Sequence, residues 1–99
     1  MTIQIQFIKI PASEALTAKT EELTKKLGAR FEWVESLSIS FEEAKGNTDD
    51  NKICKIELTA PTPRIFISVN DYNYEAALKV ALNDMERQLI KRKTKTFSK

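Results

Sequence analysis

Ser36-Leu-Ser-Ile-Ser-Phe-Glu42 is the stretch that decides the fold. Leu37, Ile39 and Phe41 alternate with Ser36, Ser38, Ser40 and Glu42, so an extended chain here carries one apolar and one polar side. A strand of this kind belongs to a sheet that buries one face and shows the other to water.

The same period of two recurs on both sides. Downstream, Gly46-Asn-Thr-Asp-Asp-Asn51 is a dense turn signal without an apolar residue. Cys54, Ile56, Leu58 and Ala60 then alternate with Ile53, Lys55, Glu57 and Thr59, Pro61-Thr-Pro63 turns the chain, and Ile65, Ile67 and Val69 alternate with Arg64, Phe66, Ser68 and Asn70. Upstream, Ile3, Ile5 and Phe7 oppose Gln4 and Gln6 in a first strand that Pro11-Ala-Ser13 ends.

Two segments switch to helical spacing. Ser13 suits an N-cap with Glu14 in the first turn, and Leu16, Thr20, Leu23 and Leu27 follow on one stripe. Gly28 reads as a left-handed C-cap, which predicts a helix over about 14–27. Asp71 or Asn73 caps a second helix, whose stripe is Tyr74, Leu78, Ala81, Leu82, Met85 and Leu89 and which runs to about Lys93. Trp33 closes the core edge beside Phe31, and Tyr72 and Tyr74 read as packing residues.

The order is β-α-β-β-β-α. The predicted class is α+β: one four-stranded sheet, its last three strands an antiparallel meander, with two helices packed on the same face. Residues 1–95 are expected to form a single domain, with 96–99 a flexible basic tail.

Composition removes several function classes. The 99 residues include no histidine and one cysteine, Cys54. A disulfide within the chain, a zinc site of Cys and His, and any Ser-His or Cys-His catalytic arrangement are excluded. Cys54, within an alternating run, reads as a small buried hydrophobe. Asp49 and Asp50 lack the spacing of a calcium loop, and Glu42-Glu43 reads as a solvated strand end. No carboxylate pair, phosphate-cradling glycine loop or nucleophile–base pair is evident, so no enzyme, cofactor or small-molecule substrate is expected. The alternating start lacks the pattern of a secretory signal, and no run of about eighteen apolar residues exists to span a membrane. The cytoplasm is the expected compartment.

Charge is the informative property. The net charge is only +2, from 16 basic and 14 acidic residues. Yet residues 87–99 hold six cations and no acid: Arg87, Lys91, Arg92, Lys93, Lys95 and Lys99. At about 100° per residue, Lys79, Asn83, Arg87 and Lys91 form a ridge opposite the core stripe, and Lys93 and Lys95 prolong it. On the first helix Lys19 and Lys26 flank the seam and Lys25 points outward. Side-by-side helices would line one groove with these cations, a spacing suited to successive phosphates. The competing reading is ordinary: exposed cations at a helix C-terminus are worth about 0.3–1 kcal/mol each and need no partner. Phe66 on the polar sheet face suits base stacking, although one exposed aromatic needs no explanation.

The order of several short motifs resembles a known family, the short form of the bacterial ribosome hibernation-promoting factor, also called ribosome-associated inhibitor or ribosomal subunit interface protein. Arg87-Gln-Leu-Ile-Lys-Arg-Lys-Thr-Lys95 is similar to that family's Arg-Gln-Leu-x-Lys-x-Lys-x-Lys ending. Ser13-Glu-Ala-Leu16, Lys26-Leu27, Asn51-Lys-Ile53 and Ala76-Ala-Leu78 match its other landmarks, over essentially residues 2–95. The resemblance implies a stress or stationary-phase factor that binds ribosomal RNA in the mRNA and tRNA channel of the small subunit and stops translation by occlusion. It carries over Lys26, Arg87, Lys91, Lys93 and Lys95 as RNA-facing positions, and Arg92, where members often have His or Tyr, is expected to contact a phosphate as well. Lys79 commonly aligns with an acid, so its inclusion rests on helix geometry. Leu23 stands where many members have Lys, and the aromatic of Asn73-Tyr-Glu75 is displaced by one position. No counterpart of the long form's dimerisation domain is expected, and a monomer off the ribosome is expected. Two alternatives remain: a general double-stranded RNA-binding module, or a protein-interaction module that modulates transcription.

Overall fold

A computed structural model describes residues 1–46 and 50–97, the side chains of 94–97 excepted. The elements are β1 (Thr2–Ile8), α1 (Glu14–Arg30), β2 (Ser36–Glu43), β3 (Lys52–Ala60), β4 (Ile65–Asp71) and α2 (Tyr74–Phe97). They form the expected β-α-β-β-β-α, α+β fold, with one mixed sheet in the order β1-β2-β3-β4. β2, β3 and β4 are the antiparallel meander. β1 lies parallel to β2, so α1 is the crossover that returns the chain to the starting end of the sheet.

The register turns the alternation into three apolar rows across four strands. Ile3, Leu37, Leu58 and Ile65 form one, Ile5, Ile39, Ile56 and Ile67 the next, and Phe7, Phe41, Cys54 and Val69 the third. The members from β2 and β3 are fully buried and those from the edge strands half-buried. Phe7 stacks on Phe41 at 5.5 Å, and Tyr74 meets Phe41 edge-on at 5.9 Å. Each full burial of this kind is worth about 1.5–3 kcal/mol. Leu78, Ala81, Met85 and Leu89 of α2 cover the rows, as the stripe predicts.

α1 begins at the predicted cap: the Leu16 N–H donates to Ser13 Oγ at 3.2 Å. Its buried residues are Thr20, Thr24 and Leu27, while Leu16 and Leu23 are only half-buried. The threonine hydroxyls are satisfied within the helix, Thr20 Oγ1 donating to the Leu16 carbonyl at 2.8 Å and Thr24 Oγ1 to the Thr20 carbonyl at 2.7 Å. Their polarity is thereby removed, and the small side chains suit a closely packed face. α2 is capped by Asn73, whose Oδ1 accepts from the Ala76 N–H at 2.7 Å, whereas Asp71 closes β4 and accepts from Tyr72.

Three expectations are corrected. Gly28 does not end α1; the helix continues to Arg30 and closes with the Phe31 N–H donating to the Leu27 carbonyl at 3.0 Å. The left-handed turn is absent because Phe31 and Val34 enter the core directly after the helix. Tyr72 does not pack: it is 66% exposed, beyond the last apolar row. α2 is helical to Phe97 rather than to about Lys93, with 98–99 outside the described residues.

Two tests follow from these positions. A Cβ on Gly28 would meet only the mobile end of Met1, whose Cε lies 2.7 Å away on a half-exposed side chain. Gly28→Ala should therefore collect the helix propensity of alanine, about 0.8–1 kcal/mol, and raise the melting temperature in calorimetry by roughly 4–8 °C per kcal/mol. A lower melting temperature would show that Met1 does not yield.

Burial pushes the Cys54 thiol up from an ordinary 9.0 to about 12. The folded chain thus holds the neutral thiol where the unfolded chain releases its proton. This group's contribution to stability is full below pH 9 and declines between about pH 9 and 12. A thiol reagent at pH 8 should label Cys54 only after denaturant is added; rapid labelling of the native chain would contradict its burial.

Candidate nucleic-acid interface

Because α2 buries one stripe, its opposite side is set by geometry. Lys79, Asn83, Arg87 and Lys91 are all exposed, one per turn, as the spacing predicts. Lys79 lies 3.5 Å from Glu75 and Arg87 3.9 Å from Asp84, both short-range pairs in water. Such pairs are worth about 0.2–1 kcal/mol and leave the cation available. Lys91 and Lys93 are exposed and make no ion pair among the described residues. Val80 and Ile90 are exposed on the same helix, so apolar side chains interleave with the cations.

α1 and α2 lie side by side, and a groove of about 340 Å³ runs between them. Leu23, Leu27 and Leu82 form its apolar floor, and Lys26, Arg30, Lys79 and Asn83 are on its walls. The expected meeting of first-helix and second-helix cations is therefore realised by Lys26 and Lys79. Arg30, one turn after Lys26, is a residue that sequence reading missed, although the i, i+4 spacing was available. It forms an ion pair with Glu86 that ties the two helices together, and its guanidinium lies 5.2 Å from the Phe31 ring. Lys19 is not part of this groove. It lies two turns away, pairs with Glu22 at 3.5 Å and borders a separate hollow near Pro11 and Tyr74.

The outer end of α2 faces a second, open groove of about 600 Å³ against the β3–β4 turn. Lys91, Arg92 and Arg64 share it with Gln88, Thr62 and Pro63. The predicted residues are thus divided: Lys26 and Lys79 on one side of α2, Lys91 and Arg92 on the other, with Arg87 lining neither. Arg92 is half-buried. Its Nη1 donates to the Pro61 carbonyl at 3.1 Å, its Nη2 to the Pro63 carbonyl, and its Cζ lies 5.9 Å from the Trp33 ring. Lys95 falls within α2, but its side chain lies outside the described residues, as does Lys99.

The open face of the sheet differs in kind. Its charges are paired across strands, Lys55 with Glu42 and Arg64 with Glu57 at 3.3 Å. At the polar end of the buried face Lys52 pairs with Glu43, whose hydrogen bond raises the Lys52 ammonium above its usual range. Phe66 stands 61% exposed among these polar side chains. No group of three or more His, Cys, Asp or Glu able to hold a metal ion occurs among the described residues. No helix there is long and apolar enough to cross a membrane.

This arrangement has relatives. The sequence profile described as "Sigma 54 modulation protein / S30EA ribosomal protein" matches residues 3–96. The chain belongs to that family. The S30EA family is one of ribosome-associated modulation proteins, a non-enzymatic kind. Solved structures share the S30EA fold. A ribosomal subunit interface protein from Coxiella burnetii superposes with a TM-score of 0.81 at 20% identity, covering 95% of this chain and 99% of that one. The N-terminal domain of Thermus thermophilus Protein Y gives 0.72 at 16% identity, over 90% and 96%. Among curated protein sequences, none matches.

Glu86 is the acid that offsets the interhelical cations, and its pair with Arg30 is partly exposed. Glu86→Gln should change stability by no more than about 1 kcal/mol. It should also raise the salt concentration needed to elute the protein from heparin, because Arg30 is released and a negative charge removed. An unchanged elution position would remove this groove from the anion-binding surface.

Proposed function

We propose that this chain is a ribosome-binding translation inhibitor acting in the cytoplasm. It occupies the mRNA and tRNA channel of the small subunit, held on ribosomal RNA by Lys26, Lys79, Arg87, Lys91, Lys93 and Lys95. Arg92, the remaining predicted residue, is left out of this set because two of its N–H donors already serve the Pro61 and Pro63 carbonyls. The observation that carries the reading is the segregation of charge. The open sheet face is neutralised by its own pairs, while the helical side presents Lys26, Lys91 and Lys93 without ion-pair partners among the described residues. Membership of a ribosome-associated family supplies the class of partner. Inhibition then needs no reaction, only occlusion, and no cofactor. Off the ribosome the chain is a monomer.

Phosphate contacts of this kind release counterions, so pelleting with ribosomes should weaken steeply between about 50 and 200 mM salt. Replacing Arg87, Lys91 and Lys93 together by Gln should reduce both pelleting and inhibition of translation while leaving the melting temperature within about 0.5 kcal/mol equivalent of the parent. Undiminished binding by the triple variant would refute the proposed surface.

One observation argues against a general double-stranded RNA-binding module. Such domains place basic residues at the start of the last helix, and here that start is Asn73-Tyr-Glu75, with Glu75 beside Lys79. Equal affinity for free duplex RNA and for ribosomes would favour the duplex reading. The other half of the family's description, sigma 54 modulation, keeps a protein-interaction role in transcription as a second reading. A salt-insensitive complex with a protein partner, without ribosome association, would favour it.

A further inference from the structure

Leu89 is the last buried side chain described on α2, yet the helix runs eight residues further, to Phe97. A helix end without a buried face frays, since each terminal residue is held by little more than its own hydrogen bond. Arg92 is placed where it opposes that fraying. Its planar fork spans two acceptors on the β3–β4 turn, the Pro61 carbonyl at 3.1 Å and the Pro63 carbonyl. Its Cζ lies 5.9 Å from the Trp33 ring, and Trp33 packs edge-on against the buried Phe31 at 6.4 Å. Lys91 and Lys93 lie about 100° to either side of Arg92 around the helix and are exposed.

We propose that Arg92 is a positioning residue: it latches the outer end of α2 to the β3–β4 turn, so that Lys91 and Lys93 meet the polyanion already oriented, and it makes no phosphate contact itself. The part played by the polyanion rests on the ribosome-binding reading above; the latch itself does not. The chemistry distinguishes this role from that of its neighbours. A lysine can still meet a phosphate as a point charge, so a purely electrostatic contact would survive in part when Arg92 is replaced by Lys. Two carbonyls and an indole together need the rigid, weakly hydrated guanidinium, which an ammonium does not replace.

The test uses the full chain with Arg92→Lys, Arg92→Gln and, as a reference, Lys91→Gln. In the free protein, both Arg92 variants should lose hydrogen-exchange protection about tenfold at the amides of residues 90–93, with the sheet amides unchanged; Lys91→Gln should leave them protected. With ribosomes, both Arg92 variants should bind more weakly in proportion to the ordered population lost, by at most the same tenfold. Their salt slope should stay that of the parent, whereas Lys91→Gln should lower it by roughly one. Rescue of binding by Arg92→Lys, or a slope reduced by about one in Arg92→Gln, would make Arg92 a phosphate ligand and overturn the proposal. Unchanged exchange in both variants would overturn it as well. If the parent chain fails to pellet with ribosomes, the ribosome reading falls while the exchange measurement still decides the latch.

Discussion

Three rows of apolar side chains, four residues wide, hold this molecule together. Each row takes one residue from every strand, and the two from β2 and β3 are sealed from water. A slip of one residue in any pairing would turn an apolar set outward and bring serines and lysines into the core, so the register is strongly specified. Covering the rows requires both helices on one face. α2 brings leucines, alanines and a methionine. α1 brings Thr20, Thr24 and Leu27, the hydroxyls silenced by carbonyls one turn back. The interhelical groove is a consequence of this packing: two cylinders on a flat sheet leave a channel between their upper surfaces, floored by the leucines that neither fully buries.

The same constraint sorts the charges. Once α2 commits one stripe to the sheet, its lysines and arginines occupy the remaining arc, and the absence of acid after Glu86 leaves that arc uncompensated at its outer end. The sheet's open face has opposite charges close enough across strands to pair. A chain of nearly balanced charge thereby becomes a body with one cationic side. Exposed pairs such as Lys79–Glu75 and Arg87–Asp84 do little to mask it, because in water they are worth less than about 1 kcal/mol and are screened by salt.

Alternation and helical spacing are local properties, and they were legible. Leu37, Ile39 and Phe41 announced β2, and Ser13 and the pair Asp71 or Asn73 announced the helix starts, because a cap bonds to residues two or three positions away; the structure decides for Asn73. Gly28 misled because a glycine after a helical stripe has two uses, and the choice depends on where Phe31 must go. Tyr72 misled because an aromatic beside a strand end packs only if an apolar row extends that far. Arg30 and Arg64 were passed over although both now border grooves with predicted residues. Their partners, Glu86 and Glu57, are respectively distant in sequence and on the facing strand.

The sequence by itself determined the elements, their order, the faces they bury and the excess of cations at the end of α2, since each follows from spacing along one chain. Only the tertiary structure decided that β1 lies parallel beside β2, that Lys26 and Lys79 share a groove, and that Lys91 stands on the other side of α2. It also separated Arg92 from its neighbours in a run of similar residues. The reason is physical: a guanidinium's role depends on which acceptors lie within about 3 Å, and the carbonyls of Pro61 and Pro63 are about thirty residues away in sequence, brought close only by the turn between β3 and β4.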